Sequence, residues 1–244
     1  VSALLEVDQV SVQFGGVRAV DLVDLDVDAG RVTGLIGPNG AGKTTLFNAV
    51  CGLQSTTHGI VRLDGDDITG LAPHKRARLG IARTFQRLEV FGSMSTRDNV
   101  KVALDVRRQW DKSTTAGSEV ADAILERVGL RDVADDRVDS LPTGLARLVE
   151  VARALASQPR VLLLDEPSSG LDEDETDSLA ALLEDLARDD LAILLVEHDV
   201  ELVMKVCATI HVLDFGRIIA VGSPAEVQAD AAVQTAYLGT VPAE

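Results

Sequence analysis

Aromatic side chains are nearly missing: five Phe, one Tyr and one Trp make up 3% of the 244 residues. A core built without them has to be mostly aliphatic. Hydrophobic residues at 46% against 25% charged fall in the globular range, which excludes a disordered chain. Cysteine is limited to Cys51 and Cys207, with no Cys-x-x-Cys pair and no close His, so neither a disulfide nor a metal site is expected. Both read as reduced core residues. Positive charge is also short. Against 39 acidic residues stand 23 Lys and Arg, and the formal net charge of −16 opposes binding to a nucleic-acid backbone or an anionic membrane surface. The one basic cluster, His74-Lys75-Arg76-Ala77-Arg78, reads as a solvated or ion-paired helix face. No apolar run reaches the roughly 18 residues of a membrane span, and the segment from Val1 to Glu6 is not a basic stretch followed by an apolar one. The expectation is a cytosolic chain that another subunit would have to hold at any membrane.

The length suits one domain, or one domain with an inserted lobe. Alternating stretches up to Val27 predict strands of a partly exposed antiparallel sheet, and Arg31–Ile36 predicts a more buried strand. Glycine-rich residues 37–42 follow it, then a helix from about Lys43 to Val50. Asp64-Gly65 marks a hairpin turn and Ile81–Phe85 a short strand. From about Leu88 to Ala156 the pattern is helical, broken by the polar run 111–118, and predicts an inserted helical lobe. Val161–Asp165 and Leu191–Val196 are buried-strand runs flanking a helix through Leu179 and Leu186. Strand and helix alternating in this way predict a parallel sheet covered on both faces. Residues 224–238 read as two short helices, and no internal repeat is present.

Gly37-Pro38-Asn39-Gly40-Ala41-Gly42-Lys43-Thr44-Thr45 matches the phosphate-loop pattern between a strand and a helix, where that chemistry requires it. The glycines let the backbone curl until successive N–H groups point at phosphate oxygens. Lys43 reaches the outer phosphates and Thr44 offers a hydroxyl to Mg²⁺. Asp165 ends an apolar strand and Glu166 follows it, at the strand end where such sheets bind nucleotide. One carboxylate suits a Mg²⁺ shell and the next suits polarising a water. Three more candidates are ambiguous by spacing alone. His198 follows the last apolar strand, where a lone histidine is usually structural; Gln86 alone reads first as a loop glutamine, and Phe14 reads as a core residue more often than as a base-stacking ring.

Leu141-Pro142-Thr143-Gly144-Leu145 opens an amphipathic helix whose Leu145, Leu148, Val149, Ala152 and Leu155 recur on one face. Pro142 suits its first turn, and a helix entrance attracts anions.

Together these pieces resemble the nucleotide-binding subunit of an ATP-binding cassette (ABC) transporter over nearly the whole chain. Phe14 matches the A-loop, Gly37–Thr45 Walker A, Gln86 the Q-loop and Leu141–Leu145 the signature. Val161–Asp165 matches Walker B, Glu166 the catalytic acid, Ser168–Asp172 the D-loop and His198 the switch. Ala82–Leu88 and Ala236-Tyr237-Leu238-Gly239 are similar to subunits of branched-chain amino acid importers. The resemblance implies an α/β fold of the P-loop NTPase type: a RecA-like parallel-sheet core, an N-terminal antiparallel subdomain and a helical subdomain at roughly 88–156, all in one cassette spanning 1–244. It implies ATP and Mg²⁺ as cofactors and a head-to-tail pair with a second ATP-binding subunit, like or unlike. Permease subunits at the inner face of the membrane, a substrate-binding protein acting indirectly and no nucleic acid complete the picture. In that scheme Phe14 stacks on adenine, and Thr44, Gln86 and Asp165 serve Mg²⁺. Glu166 is the general base, His198 positions the γ-phosphate and the water, and Thr143 and Gly144 meet the partner's nucleotide. A groove near Gln86, with Leu88, Val90, Phe91 and Met94, would take a permease helix.

The signature departs from its usual Leu-Ser-Gly-Gly-Gln: Pro142 stands for the serine and Leu145 for the glutamine. Either this half-site is weakened within an asymmetric pair, or Thr143 and backbone amides replace the lost hydroxyl. A non-transport clamp on nucleic acid or the ribosome is the rival reading. The acidic charge and the lack of a coiled-coil insert or second cassette count against it. A small-molecule kinase leaves the 141–155 stretch unexplained.

Overall fold

A computed structural model describes residues 3–113 and 117–238. The chain runs β1 (Leu5–Phe14), β2 (Val17–Val27), β3 (Val32–Ile36), α1 (Lys43–Cys51), β4 (His58–Leu63), β5 (Asp66–Asp67), α2 (Pro73–Arg78) and β6 (Ile81–Arg83). It continues with α3 (Thr96–Arg108), α4 (Ser118–Arg127), α5 (Thr143–Ala156), β7 (Val161–Asp165), α6 (Glu173–Arg188), β8 (Ala192–Val196) and α7 (Val200–Val206). Last come β9 (Thr209–Asp214), β10 (Arg217–Gly222), α8 (Pro224–Ala229) and α9 (Ala231–Leu238).

Two sheets form. The first has the order β2-β1-β4-β5 and is antiparallel; the second has the order β10-β9-β3-β8-β7-β6 and is parallel except for the β9–β10 hairpin. Its inner strands are buried on both sides, as their continuous apolar runs require. Val161 and Leu163 face one core while Leu162 and Leu164 face the other, and β8 alternates in the same way. One core joins the parallel sheet to α1 and the antiparallel sheet. The other joins it to the helices that follow β6 and β7. The ends of β3 and β7 thus lie at the same edge, because both strands run parallel to β8, which lies between them.

Several expectations need correction. Residues 88–95 are not helical; helix begins at α3, where Ser95 accepts the Asp98 N–H as N-cap. Short 3₁₀ turns at Arg131–Val133 and Val138–Ser140 bridge α4 and α5. Pro142 is the N-cap of α5, with extended φ −52 and ψ 149, and Thr143 is the first helical residue. That helix is buried on more than one face, since Ala146, Glu150, Val151 and Ala154 are covered as well. The basic cluster is a solvated face at His74, Lys75 and Arg78, as expected, but Arg76 turns inward. Arg76 is 2% exposed. Its guanidinium donates to the carbonyls of Ala49 (2.8 Å) and Val50 (2.7 Å) at the end of α1, and to those of Leu71 (3.0 Å) and Thr69 (2.6 Å). A short spacing pattern cannot distinguish a buried arginine capping another helix from an exposed one. Cys51 and Cys207 are buried and free, as expected. The polar run 111–118 and the Ala236–Gly239 stretch lie partly outside the described residues.

Candidate active site

The glycine loop curls because three of its residues sit at φ angles that a side chain would strain: Gly37 at 153°, Gly40 at 81° and Gly42 at 112°. A Cβ on Gly37 would lie 1.9 Å from the Leu213 carbonyl oxygen, and one on Gly42 would lie 2.4 Å from that of Ala19. The loop is therefore wedged between β2 and the end of β9. Gly216 N–H donates to the Ala41 carbonyl (2.8 Å) and locks it there. Gly42 caps α1 without a side chain, and the first turn has no acidic residue. The leading N–H groups of α1 consequently have no local side-chain acceptor and favour an anion. Lys43 Nζ donates back to the carbonyls of Gly37 (2.6 Å) and Pro38 (3.0 Å). Burial holds its pKa below the usual lysine value, against the opposing pull of Glu166 and Asp165. Asn39, Gly40 and Thr44 are exposed, with Thr45 half-buried behind them.

Asp165 is 2% exposed; its N–H donates to Thr84 Oγ1 (3.1 Å), and Arg83 Nη2 stands 3.5 Å from Oδ2. Burial raises its carboxyl above the usual aspartate range and the Arg83 charge offsets part of that. The next residue, Glu166, takes φ 51°. A non-glycine residue in the left-handed region costs about 1–3 kcal/mol, which the fold tolerates where a side chain has to be aimed. Its N–H is held by the Val196 carbonyl (2.9 Å). His198 Nδ1 lies 3.9 Å from Glu166 Oε1, so the imidazole and this carboxylate face each other at the strand ends. A donor set of lysine, free loop amides, hydroxyl and carboxylates suits a magnesium-bound polyphosphate.

Not every expected residue joins this cluster. Phe14 is half exposed at the end of β1, across the hairpin from exposed Val17. Gln86 is exposed, and its carbonyl accepts from Arg147 Nη2 on α5 (3.2 Å). Thr143 and Gly144 pack on the turn after β7 instead of the glycine loop; a Cβ on Gly144 would lie 2.6 Å from Leu171 Cδ2 and 2.8 Å from the Gly170 carbonyl oxygen. The glycine loop and the start of α5 are thus two distinct candidate half-sites. Three contributors escaped the sequence. Glu197 is buried, and its carboxylate accepts the N–H groups of Ser168 (2.8 Å) and His198 (3.2 Å), tying the turn after Glu166 to the histidine. Thr84 holds the Asp165 N–H, and Arg83 stands beside its carboxylate. The positions of Arg83, Thr84 and Glu197 beside sequence-identified residues were the available signal.

A cavity lies beside the segment of the expected groove. It measures about 420 Å³ and opens between α2, β6 and α5, lined by Leu53, Pro73, Arg83, Phe85, Glu89 and Arg153 among others. Thr84 and Phe85 belong to it, whereas Leu88, Val90, Phe91 and Met94 do not. Phe91 packs under Arg153 instead, 4.7 Å from ring centre to guanidinium.

Comparison with known proteins agrees with this geometry. Residues 20–169 match the profile of the family described as ABC transporter, and residues 217–243 match that described as branched-chain amino acid ATP-binding cassette transporter. The chain is 39% identical to the high-affinity branched-chain amino acid transport ATP-binding protein BraF of Pseudomonas aeruginosa, covering 97% of this chain and 98% of that one. It is 36% identical to the lipopolysaccharide export system ATP-binding protein LptB of Escherichia coli, with the same coverage of both chains. Among solved structures, the ADP conformation of MJ1267, an ATP-binding cassette of an ABC transporter, superimposes with a TM-score of 0.87 at 28% identity, covering 98% of this chain and all of that one. Among the described residues no helix is long and apolar enough to cross a membrane. With the phosphate loop, the acidic strand end and these full-length likenesses together, the chain belongs to the ATP-binding cassettes of ABC transporters and is an ATPase of that family.

Proposed function

We propose that this ATPase powers an importer of branched-chain or related amino acids, docked at the inner face of the membrane on permease subunits. A substrate-binding protein would feed the permease from outside. The observation that carries the reading over export is the match of residues 217–243 to the branched-chain cassette profile, beside full-length similarity to BraF. Reconstituting the chain with its permease subunits in liposomes tests it. ATP-dependent leucine uptake is the expected result, and a complex whose turnover no amino acid or binding protein stimulates would overturn the reading.

The site residues act as one cassette, 1–244, with a helical lobe from α3 to α5. Phe14 stacks on the adenine. The loop amides of Gly37–Thr45 take the phosphates, and Lys43 trades its carbonyl partners for phosphate oxygens. Thr44 and Asp165 would hold Mg²⁺, and exposed Gln86 would have to swing in to join them; the ion would supply charge neutralisation to the phosphates. Glu166 takes the proton of the attacking water, and His198 contacts the γ-phosphate beside it. Permease contact falls in the cavity bordered by Phe85 and Glu89.

The separation of the two half-sites supports a head-to-tail pair, in which the start of α5 meets the other chain's nucleotide. Pro142 gives α5 no side-chain cap. Its first amides are thus free for an oxyanion, and Thr143 is exposed beside them. This favours amide and threonine recognition over a crippled half-site. Thr143→Ala in the assembled transporter should lower ATP turnover at least several-fold, since a hydrogen bond to a charged group contributes about 1.5–3 kcal/mol. Unchanged turnover would return the asymmetric pair to favour.

A further inference from the structure

Arg83 stands beside Asp165, and its guanidinium touches three functional regions at once. The side chain is 7% exposed. Nη1 donates to Asn48 Oδ1 at 2.8 Å, on the helix that begins at Lys43, and Nε donates to the Thr84 carbonyl at 3.1 Å. Nη2 stands 3.5 Å from Asp165 Oδ2. Its Cζ lies 4.4 Å from the centre of the Phe85 ring and 5.7 Å from that of Phe47. Both Arg83 and Phe85 line the 420 Å³ cavity.

The distances rank these contacts. A charge-assisted N–H···O bond normally closes to about 2.7–2.9 Å. The Asn48 bond is tight and the Asp165 approach is not. The guanidinium is therefore held beside the carboxylate by Asn48, Thr84 and the Phe85 face, and stops short of a full ion pair with it. Lysine offers neither the planar fork nor the stacking surface for such an arrangement.

We propose that Arg83 is a positioning residue through which the Phe85 wall of the cavity sets how much of the Asp165 carboxylate is available to a cation at the nucleotide site. With Phe85 stacked, the guanidinium stays back. When the ring is drawn away by an occupant of the cavity, the guanidinium closes on Asp165 and competes with the cation. The inference rests on the ATPase reading and on Asp165 as a cation ligand, and it adds the element that connects that ligand to the docking cavity.

The test titrates Mg²⁺ against binding of a fluorescent ADP analogue to the purified full chain, an equilibrium readout separate from turnover. Phe85→Ala should raise the half-saturating Mg²⁺ concentration by roughly threefold or more, and Arg83→Gln should lower it by a similar factor, as expected for moving or deleting a charge a few ångströms from a cation. In the Arg83→Gln background, Phe85→Ala should have no further effect. Arg83→Lys serves as a second background should the glutamine variant fold poorly, and there too Phe85→Ala should lose most of its effect. A Phe85→Ala shift that persists without Arg83, or cation dependence unmoved by both single changes, would overturn the proposal and leave Arg83 a packing residue. A wild-type chain whose nucleotide binding ignores Mg²⁺ would instead remove the reading of Asp165 as a cation ligand.

Discussion

Single residues carry both the chemistry and the pH limits of this cassette. Glu166 is held in a left-handed conformation next to buried Asp165, and an isosteric amide there keeps the shape while removing the proton acceptor. Glu166→Gln should cut ATP turnover by about 100-fold or more while leaving nucleotide affinity near wild type. A parallel loss of affinity would assign the residue to binding instead. His211 sets a limit of another kind. It lies in the middle of β9, paired with Leu35 of β3 and Val221 of β10, and its Nδ1 is buried without a partner. Burial pushes its pKa down from 6.5 to about 4. The unfolded chain therefore binds a proton that the folded chain refuses, and stability falls as pH drops from 6.5 towards 4. The full shift corresponds to about 3 kcal/mol. Urea unfolding of wild type and His211→Asn at pH 7 and pH 4.5 isolates this contribution from the carboxylates: wild type should lose more stability over the interval, and equal losses would show that the imidazole is not the titrating group.

Elements are placed by contacts that periodicity does not display. Helix α1 presents its N-terminus to the proposed phosphate site, so whatever fixes its other end also fixes that site. Arg76 does so, donating four hydrogen bonds to carbonyls, two of them in the last turn of α1. Arg76→Met should destabilise the fold by about 3–5 kcal/mol, because buried carbonyls lose a charged donor. Exposed Lys75→Met, one position earlier, should stay within about 0.5 kcal/mol in the same urea titration. If both cost little, the buried guanidinium is dispensable. The contrast shows what was legible. Buried strands β7 and β8 and the loop–helix unit at 37–51 announce themselves through apolar runs and glycine spacing, since local geometry dictates those residues. Antiparallel β4 and the β9–β10 hairpin are weaker signals, because half-exposed strands tolerate His58, Arg62 and Arg217. Arg76, Arg83 and Glu197 were illegible for a common reason: a charged residue is buried only when a partner distant in sequence satisfies it, and sequence does not show that partner.

At the scale of the whole molecule, charge bears on how cassettes pair. Each chain carries −16, so two identical chains closing face to face work against their own repulsion. Salt screens that term, since the Debye length falls from about 10 Å at 0.1 M to about 3 Å at 1 M. For the Glu166→Gln variant with ATP, in which the closed pair would accumulate, sedimentation should show self-association strengthening by about tenfold between those salt concentrations, equivalent to about 1.4 kcal/mol. A native partner that is a different and more basic cassette leads to the opposite behaviour: weak self-association at any salt, and a mixed pair that salt weakens. The sign of the salt dependence therefore decides between a pair of like chains and a pair with a more basic cassette. It does so without reference to the signature, and so independently of the Thr143→Ala turnover.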